Sequence, residues 1–283
     1  MQTIVTNYGE LVPQHTTDDL RKKDIIPVVL HQNGIPKSLP LEEQTTIATP
    51  VGDIPAELLT FHENGSLNRI FPLNGKLSGY WSEADELALA KPVIVRTPAG
   101  TIAARILGIN FYSNETIRSV TLWPGEIVTI DTPAGRMETR IGISFMPDGT
   151  IESVEPAKPT LVRTMAGDML AYDPDTIGLC GDTNSLVTDA HGTIHQLKTT
   201  LTSISSTSTT GKESQFSPKY RDSYCSEEEK EIEPMTVEFS DDFVTIKQTP
   251  RTTIRLSVSE HTFSTQPYLP QLAQGLGGLK CSV

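Results

Sequence analysis

Apolar residues in the first 200 positions recur with two spacings, one on each side of a repeated turn. Before the turn they alternate with polar residues, as at Leu59 and Phe61, which is the period of a half-buried strand. After the turn they fall three apart, in the pairs Leu67 and Ile70, Ile117 and Val120, Ile151 and Val154, and Ile194 and Leu197. A regular strand would place them two or four apart. This spacing therefore predicts a bulge or corner in each strand.

Two turn phrases alternate along the same region. The first is a Thr-x-x-Gly phrase beginning at Thr6, Thr49, Thr97, Thr132 and Thr164. An apolar residue stands two places after each of its glycines, at Leu11, Ile54, Ile102, Met137 and Met169. The second phrase has its turn residue at Asn33, Asn64, Asn114, Asp148 and His191. Thr-Pro-x-Gly favours a type I turn and Asn-Gly a tight hairpin, so each repeat is predicted to reverse the chain twice.

The repeats predict an all-β fold, a repeat-built antiparallel β-meander of about five two-hairpin repeats. The alternative is a five-bladed β-propeller, because two hairpins at this repeat length also resemble one propeller blade. Insertions interrupt the pattern twice. A short helix is predicted from Ser82 to Ala90, with Ser82 as its cap, and a weaker helical turn is predicted from Thr16 to Asp24.

Composition divides the chain into four predicted parts. Residues 1–200 form the β-repeat body, and residues 201–233, rich in Ser and Thr and then in Glu, are predicted to be a linker that buries little apolar area. Residues 234–266 form a short β segment able to pack on the body as a late cap, and residues 267–283 are predicted to be a tail. Modification of the linker is left open.

Charge and cysteine content limit the partners and the location. The net charge is −12, and nine carboxylates with one lysine fall between Asp222 and Asp242, so the body is only mildly acidic. Nucleic acid and membranes are not expected as partners, because phosphate surfaces require clustered Lys and Arg. Three scattered cysteines, Cys180, Cys225 and Cys281, argue against a disulfide framework. Together with the lack of an export signal in residues 1–10, they favour a cytoplasmic location.

His31 and His62 are the first candidates for metal or catalytic chemistry, since both stand two residues before Asn-Gly. The same position in the other repeats holds Tyr112, Met146 and Asp189. A position that accepts such different side chains is expected to lie on a sheet face, so neither histidine is predicted to be a ligand.

A second group of candidates lies near the fifth repeat. His191 and His195 flank a predicted hairpin, so their spacing does not place them on one helical face as in a zinc protease. Asp173, Asp175 and Asp182 lack the residue order and the closing glutamate of a calcium loop. No catalytic residue, metal or cofactor is therefore predicted.

The segment FHENGSLNRIFPLNGKLSGYW resembles the MORN-type repeat over 21 residues, from Phe61 to Trp81. The matching residues after Phe61 are Asn64 and Gly65, then Asn74, Gly75 and Lys76, then Gly79, Tyr80 and Trp81. In that family short hairpins stack edge to edge into an elongated sheet that serves as a binding or spacing surface. The resemblance implies such a sheet here. Lipid binding, which some MORN proteins show, is not expected because the basic residues are missing.

Tyr80, Trp81 and Trp123 are the candidate partner-binding residues. Aromatic residues dominate binding hot spots, and irregularities in a repeat array often mark the binding face. The predicted function is non-enzymatic, that of a protein-interaction or scaffolding protein of the cytoplasm with a protein partner. Two alternatives stay open: an enzyme or ligand-binding protein with a site in a propeller-like channel, and a surface adhesin-like β protein.

Overall fold

A computed structural model describes residues 3–176, 184–223 and 230–269 of the chain. Strands make up 58% of the protein and helix 3%, which confirms the prediction of an all-β antiparallel meander. The described strands form no propeller, because successive hairpins add side by side to a sheet instead of forming separate blades. The five-bladed alternative is therefore not supported.

The strands are numbered in chain order: Ile4–Thr6 (β1), Gly9–Leu11 (β2), Val29–Leu30 (β3), Pro36–Thr49 (β4), Gly52–Phe61 (β5), Leu67–Phe71 (β6), Val93–Thr97 (β7), Gly100–Ala104 (β8), Ile106–Phe111 (β9), Ile117–Leu122 (β10), Val128–Thr132 (β11), Gly135–Phe145 (β12), Ile151–Pro156 (β13), Thr160–Thr164 (β14), Gly167–Ala171 (β15), Leu186–Thr188 (β16), Ile194–Thr199 (β17), Thr202–Ser208 (β18), Glu213–Phe216 (β19), Lys219–Asp222 (β20), Lys230–Glu233 (β21), Met235–Phe239 (β22), Phe243–Thr249 (β23), Thr252–Ser257 (β24) and His261–Pro267 (β25). The helix in the described ranges is Glu83–Leu89 (α1).

The chain divides into two compact units. Unit 1 contains residues 1–158 and 175–193, and unit 2 contains residues 159–174 and 194–283. The predicted body of residues 1–200 is therefore not a single unit. The first hairpin of the fifth repeat, β14 with β15, belongs to unit 2.

The main sheet of unit 1 has the strand order β3-β4-β5-β6-β9-β10-β12-β13-β16. Its core is an apolar row in which register partners on adjacent strands lie side by side. The row consists of Leu39, Leu59, Ile70, Ile109, Val120, Ile143, Val154 and Leu186, all almost completely buried. Each such side chain contributes about 1.5–3 kcal/mol on burial, so this row is a principal source of stability.

The first turn phrase forms a two-residue hairpin loop in all five repeats. The threonine and the glycine of each phrase are register partners, and every one of these glycines has a φ between 108° and 131°. The threonine Oγ1 donates to the glycine carbonyl oxygen at 2.7–3.0 Å. The apolar residues two places after the glycines are all buried, as the spacing predicts.

The second turn phrase also closes in one way throughout. The backbone N–H of the residue two places before the turn residue, for example His31, donates to the carbonyl four residues later at 2.8–2.9 Å. The backbone N–H of the residue after the turn residue, for example Gly34, donates back to the carbonyl of that first residue. The residue that donates back has a φ between 67° and 90°; it is glycine except at Glu115. A further copy of this turn runs from Ser208 to Lys212 in unit 2, with Gly211 in the glycine position.

Three of the four predicted bulges, those of the pairs beginning at Leu67, Ile117 and Ile151, lie immediately after the second turn. Phe61 pairs with Leu67 and Thr60 with Arg69, so Asn68 is skipped in the register. The same one-residue shift occurs at Ile117/Ser119 and beside Phe145. Because one residue is skipped, apolar residues three apart both face the core.

The two insertions differ from each other. Ser82 caps α1 and forms a capping box with Asp85, as predicted. Residues 16–24, predicted as a helical turn, form no helix. Instead, Oδ1 of Asp18 accepts hydrogen bonds from the backbone N–H groups of Leu20, Arg21 and Lys22, which folds this segment into a tight loop.

The linker predicted for residues 201–233 contains strands β18 to β21 instead. Ile204 and Phe216 are buried, and β18 lies between β19 and β25 in a three-stranded sheet. Threonine and serine are compatible with an extended strand. A Ser/Thr-rich sequence with few apolar residues therefore still forms a sheet when its apolar residues alternate with polar ones. Residues 224–229, in the acidic part, lie outside the described residues.

The predicted β segment of residues 234–266 consists of β22, β23, β24 and most of β25. Strand β22 pairs with β17, and β23 and β24 follow it in a sheet of unit 2. The segment therefore extends a repeat strand. Of the predicted tail, residues 267–269 are described. The three cysteines and Asp182 lie outside the described residues.

Candidate functional site

The three aromatic candidates have different surroundings. Tyr80 is 73% exposed, and the Nζ atom of Lys23 lies 3.9 Å from the centroid of its ring. Trp81 is partly buried, and its Nε1 donates to Oε2 of Glu86 at 2.7 Å. Trp123 is only 5% exposed. Its ring belongs to the core of unit 1 and cannot be a partner anchor, so this part of the predicted site is wrong.

Trp81 belongs to a buried ionic cluster, which we call the clasp. It is centred on Arg21, whose guanidinium contacts Glu57 at 2.7 and 3.0 Å and Glu86 at 2.7 Å through two nitrogens. The backbone N–H of Gly75 donates to Glu86 and that of Asn74 to Glu57, both at 2.9 Å. The clasp therefore fastens the loop of residues 16–24, α1 and the loop after β6 to β5.

The clasp changes the protonation of its members. Burial alone would raise the pKa of Glu86, but hydrogen bonds from Arg21 and Trp81 hold it below the ordinary value of 4.5. Burial opposes the charge on Arg21, yet its two carboxylate partners raise its pKa. The helical insertion thus has a structural role, because Glu86 supplies half of the partners of a buried cation.

We expect the clasp to make unit 1 sensitive to acid. A carboxylate with a lowered pKa in the folded state stabilises the fold above its ordinary pKa of 4.5, and this contribution is lost as the pH falls through the lowered value. Chemical unfolding of the wild type and of Glu86→Gln, measured from about pH 6 down to pH 3, should show a wild-type advantage that shrinks below pH 4.5. A difference that does not change with pH would contradict this assignment.

His31 and His62 have a structural role in the sheet. The Nε2 atom of His31 lies 2.9 Å from the carbonyl oxygen of Phe61, and that of His62 lies 3.1 Å from the carbonyl oxygen of Phe111. A carbonyl only accepts, so both Nε2 atoms carry hydrogen. Tyr112, at the same repeat position, donates its hydroxyl to the carbonyl of Phe145. Each side chain therefore ties one hairpin to the next.

An open groove lies over the first hairpins of the main sheet, on β3 to β6, and we call it the β3–β6 groove. Its volume is about 560 Å³. Its lining comprises Val29, His31, Lys37, Ser38, Thr60, Phe61, His62, Glu63, Asn68 and Arg69. All these residues belong to unit 1.

A polar row of register partners crosses the sheet beside the apolar row and supplies part of the groove. It consists of Ser38, Thr60, Arg69, Asn110, Ser119, Ser144 and Ser153. Successive side chains of a strand point to opposite faces, so the polar row lies on the face opposite the apolar core. Ser119, Ser144 and Ser153 are buried, whereas Ser38, Thr60 and Arg69 are partly exposed.

Hydrogen bonding within the polar row differs along its length. Nδ2 of Asn110 donates to Oγ of Ser119 at 2.7 Å, and the hydroxyl oxygens of Ser144 and Ser153 lie 2.7 Å apart. In contrast, Oγ1 of Thr60 is a buried atom without a hydrogen-bond partner in the described residues. The groove is therefore the part of the row whose polar groups are not used internally.

An apolar surface borders this groove at the end of the sheet. Strand β3 is the last strand, and no described strand pairs with its outer side. Val29 and Leu30 are 46% and 55% exposed, and Ile25 and Ile26 before them are also exposed. We call these four residues the edge patch.

A second cavity, of about 330 Å³, lies at the corner of the third and fourth repeats. Leu107, Leu122, Ile127 and Ile141 supply most of its apolar lining. Ile141 has a φ of 63°, which is strained for a β-branched residue. The ionic side chains at this cavity are engaged in pairs, Glu126 with Arg105 and Arg140 with Glu155. The charged side chains that line this cavity are therefore already engaged with each other or with neighbouring residues, and a ligand there would bind mainly through apolar contacts.

Within residues 3–176, 184–223 and 230–269, no three His, Cys, Asp or Glu side chains come together as a metal site would require. No helix there is both long and apolar enough to cross a membrane.

Sequence reasoning missed Lys37, Thr60 and Arg69 as candidate site residues. Lys37 and Asn68 occupy the skipped bulge position after the second turn, and Arg69 follows immediately in the polar row. The repeat alignment contains a usable signal, since Arg69 is a cation where Ser119 and Ser153 stand in later repeats.

Comparison of the chain with protein-family models, curated proteins and solved structures gives no match. The resemblance of residues 61–81 to the MORN-type repeat therefore stays a prediction. In the structure, the second Asn-Gly of that segment, Asn74 and Gly75, lies in the loop held by the clasp.

Proposed function

We propose that this chain is a non-enzymatic protein-interaction or scaffolding protein of the cytoplasm, and that its partner binds at the edge patch. The supporting observation is the run of exposed aliphatic side chains at the unpaired end of the main sheet. Natural proteins normally shield or charge such an edge, and a cluster of exposed apolar residues is typical of an interaction site.

The backbone around the edge patch favours contact through side chains over the addition of a strand. Strand β3 is only two residues long, and Pro27, between Ile26 and Val29, has no N–H to donate. A partner strand would therefore find few hydrogen bonds along this edge. The aliphatic side chains remain as the available contacts.

The edge patch is held in place before any partner arrives. The buried side-chain amide of Gln14 donates to the carbonyl of Asp24 at 3.1 Å and accepts from the N–H of Ile26 at 3.3 Å. The clasp anchors the preceding loop through Arg21. Because Gln14 and Arg21 already hold residues 21–26 in place, binding of a partner would cost little conformational entropy. This favours affinity.

The test is the capture of binding partners by paired surface variants. The double variant Val29→Thr with Leu30→Thr keeps β propensity and removes the apolar edge. Its matched control is Ile94→Thr with Ile127→Thr, which replaces two aliphatic residues of similar exposure elsewhere in unit 1. Proteins cross-linked to the wild type should be lost from the edge variant and kept by the control. Identical capture by all three proteins would refute the proposed surface.

A further inference from the structure

We propose that the β3–β6 groove binds carboxylate side chains of an extended acidic peptide supplied by the partner protein. This inference rests on the proposed function and adds the chemistry of the partner. Three features of the groove lead to it: cations without partners, a buried hydroxyl without a partner, and continuity with the edge patch.

The cations are Lys37 and Arg69. Neither side chain has a hydrogen bond or an ion pair with any residue in the described ranges, although the clasp and other pairs engage many cations of unit 1. The chain has a net charge of −12, so two unpaired cations lining one groove are a local reversal of its charge. Such a surface attracts carboxylates, and an arginine can bind one with two parallel hydrogen bonds.

The hydroxyl is that of Thr60. A buried hydroxyl without a partner carries a free-energy cost relative to a satisfied one. The two neighbouring hairpins avoid this cost, because their polar register pairs, Asn110 with Ser119 and Ser144 with Ser153, are hydrogen-bonded. Thr60 and Arg69 are the equivalent register pair of the preceding hairpin, but their side chains are not hydrogen-bonded to each other. The Thr60 hydroxyl and the Arg69 guanidinium are therefore both unused donors at this register position.

The shape of the groove favours a peptide over a small free anion. The groove is a shallow trough over the sheet face, and Val29 belongs both to its lining and to the edge patch. A chain that places aliphatic groups on the edge patch can therefore continue into the groove that Lys37 and Arg69 line. Glu63 at the rim, with 83% of its side chain exposed, disfavours a second carboxylate on that side.

The first experiment measures binding of a fluorescent oligoglutamate peptide by anisotropy at low and at physiological salt. The wild type should bind, and affinity should fall as salt rises. Arg69→Gln and Lys37→Gln should each weaken binding by about tenfold, the loss expected for a charge-assisted hydrogen bond. Arg136→Gln is the matched control, since Arg136 is an exposed cation of unit 1 away from the groove, and its affinity should equal that of the wild type.

The second experiment separates a ligand-binding role of Thr60 from a packing role. Thr60→Val keeps the shape of the side chain and removes the unpaired hydroxyl, so the free protein should be as stable as the wild type or more stable. Peptide affinity should nevertheless fall. A variant that is stabilised with unchanged affinity would show that the hydroxyl does not contact a ligand.

Three results would overturn the proposal. They are absence of peptide binding by the wild type at low salt, equal weakening by Arg136→Gln, and displacement of the peptide by inorganic phosphate at equal carboxylate and phosphate concentration, which would indicate a small-anion site. These results test the chemistry of the groove and leave the edge patch to be tested by partner capture. Loss of partner capture in the Val29 and Leu30 variant would still support the edge patch if the groove variants have no effect.

Discussion

Arg21→Met is expected to destabilise unit 1 by about 3–5 kcal/mol, a large fraction of the stability of a typical domain. The substitution leaves Glu57 and Glu86 buried together without the cation that neutralises both. Removal of one member of a buried ionic cluster is costly because the remaining charges have lost their water and gained no new partner. Arg21→Lys should be intermediate, since an ammonium cannot contact two carboxylates in the same bidentate way.

Chemical unfolding followed by tryptophan fluorescence is a suitable measurement. Both tryptophans, Trp81 and Trp123, belong to unit 1, so the signal reports on that unit. The control is Lys76→Met, because Lys76 forms an exposed ion pair with Asp24 close to the clasp. This control should change stability by less than about 0.5 kcal/mol. Equal effects of the two substitutions would show that the clasp is not a buried ionic cluster.

Gly149→Val is expected to cost about 2–3 kcal/mol, which makes it the second-largest effect. Gly149 has a φ of 90°, where a β-branched residue is strained, and an added Cβ would lie 3.2 Å from Cγ of Pro98. Strain and contact therefore act together. Gly100→Val, with a φ of 113° and no atom within 4 Å of an added Cβ, should cost less, about 1–2 kcal/mol from strain alone.

The control for the turn glycines is Gly79→Val. Gly79 has no positive φ, and an added Cβ there would meet no atom within 4 Å. Its substitution should be neutral within about 0.5 kcal/mol. If Gly149→Val is equally neutral by the same unfolding measurement, the positive φ of the second turn does not require glycine at position 149.

Turns and strands could be predicted from the sequence because their causes are local. A Thr-Pro-x-Gly phrase determines its own loop, and the three-residue spacing of Leu67 and Ile70 already implies one skipped residue between them. The same logic found α1 from Ser82 and Asp85. These features depend on residues within a few positions of one another.

Residues 201–216 form strands where their composition predicts a linker, because their periodicity is that of a strand. Ile204 and Ser206 alternate inward along β18, and Gly211 closes a further copy of the second turn. Both signals were present in residues 201–216. A low apolar content suggested disorder, but a short strand needs only one or two buried residues when it lies between two others, as β18 does.

The clasp and the groove could not be predicted, since both depend on contacts that are distant in sequence. Arg21 meets Glu57 at a separation of 36 residues and Glu86 at a separation of 65. Within the polar row, sequence shows which residues are polar but not which are paired. The difference between Thr60 and Asn110 becomes visible only when the register and the hydrogen bonds are known.

The side chains of His31, His62 and Tyr112 have a consequence for cooperativity. Each joins its own hairpin to the following one, so opening of one hairpin weakens its neighbour, as in a one-dimensional array with nearest-neighbour coupling. Met146 occupies the next position in the series, and its side chain has no hydrogen to donate. The coupling supplied by these side chains therefore joins four hairpins, β3–β4, β5–β6, β9–β10 and β12–β13. These four hairpins should open together.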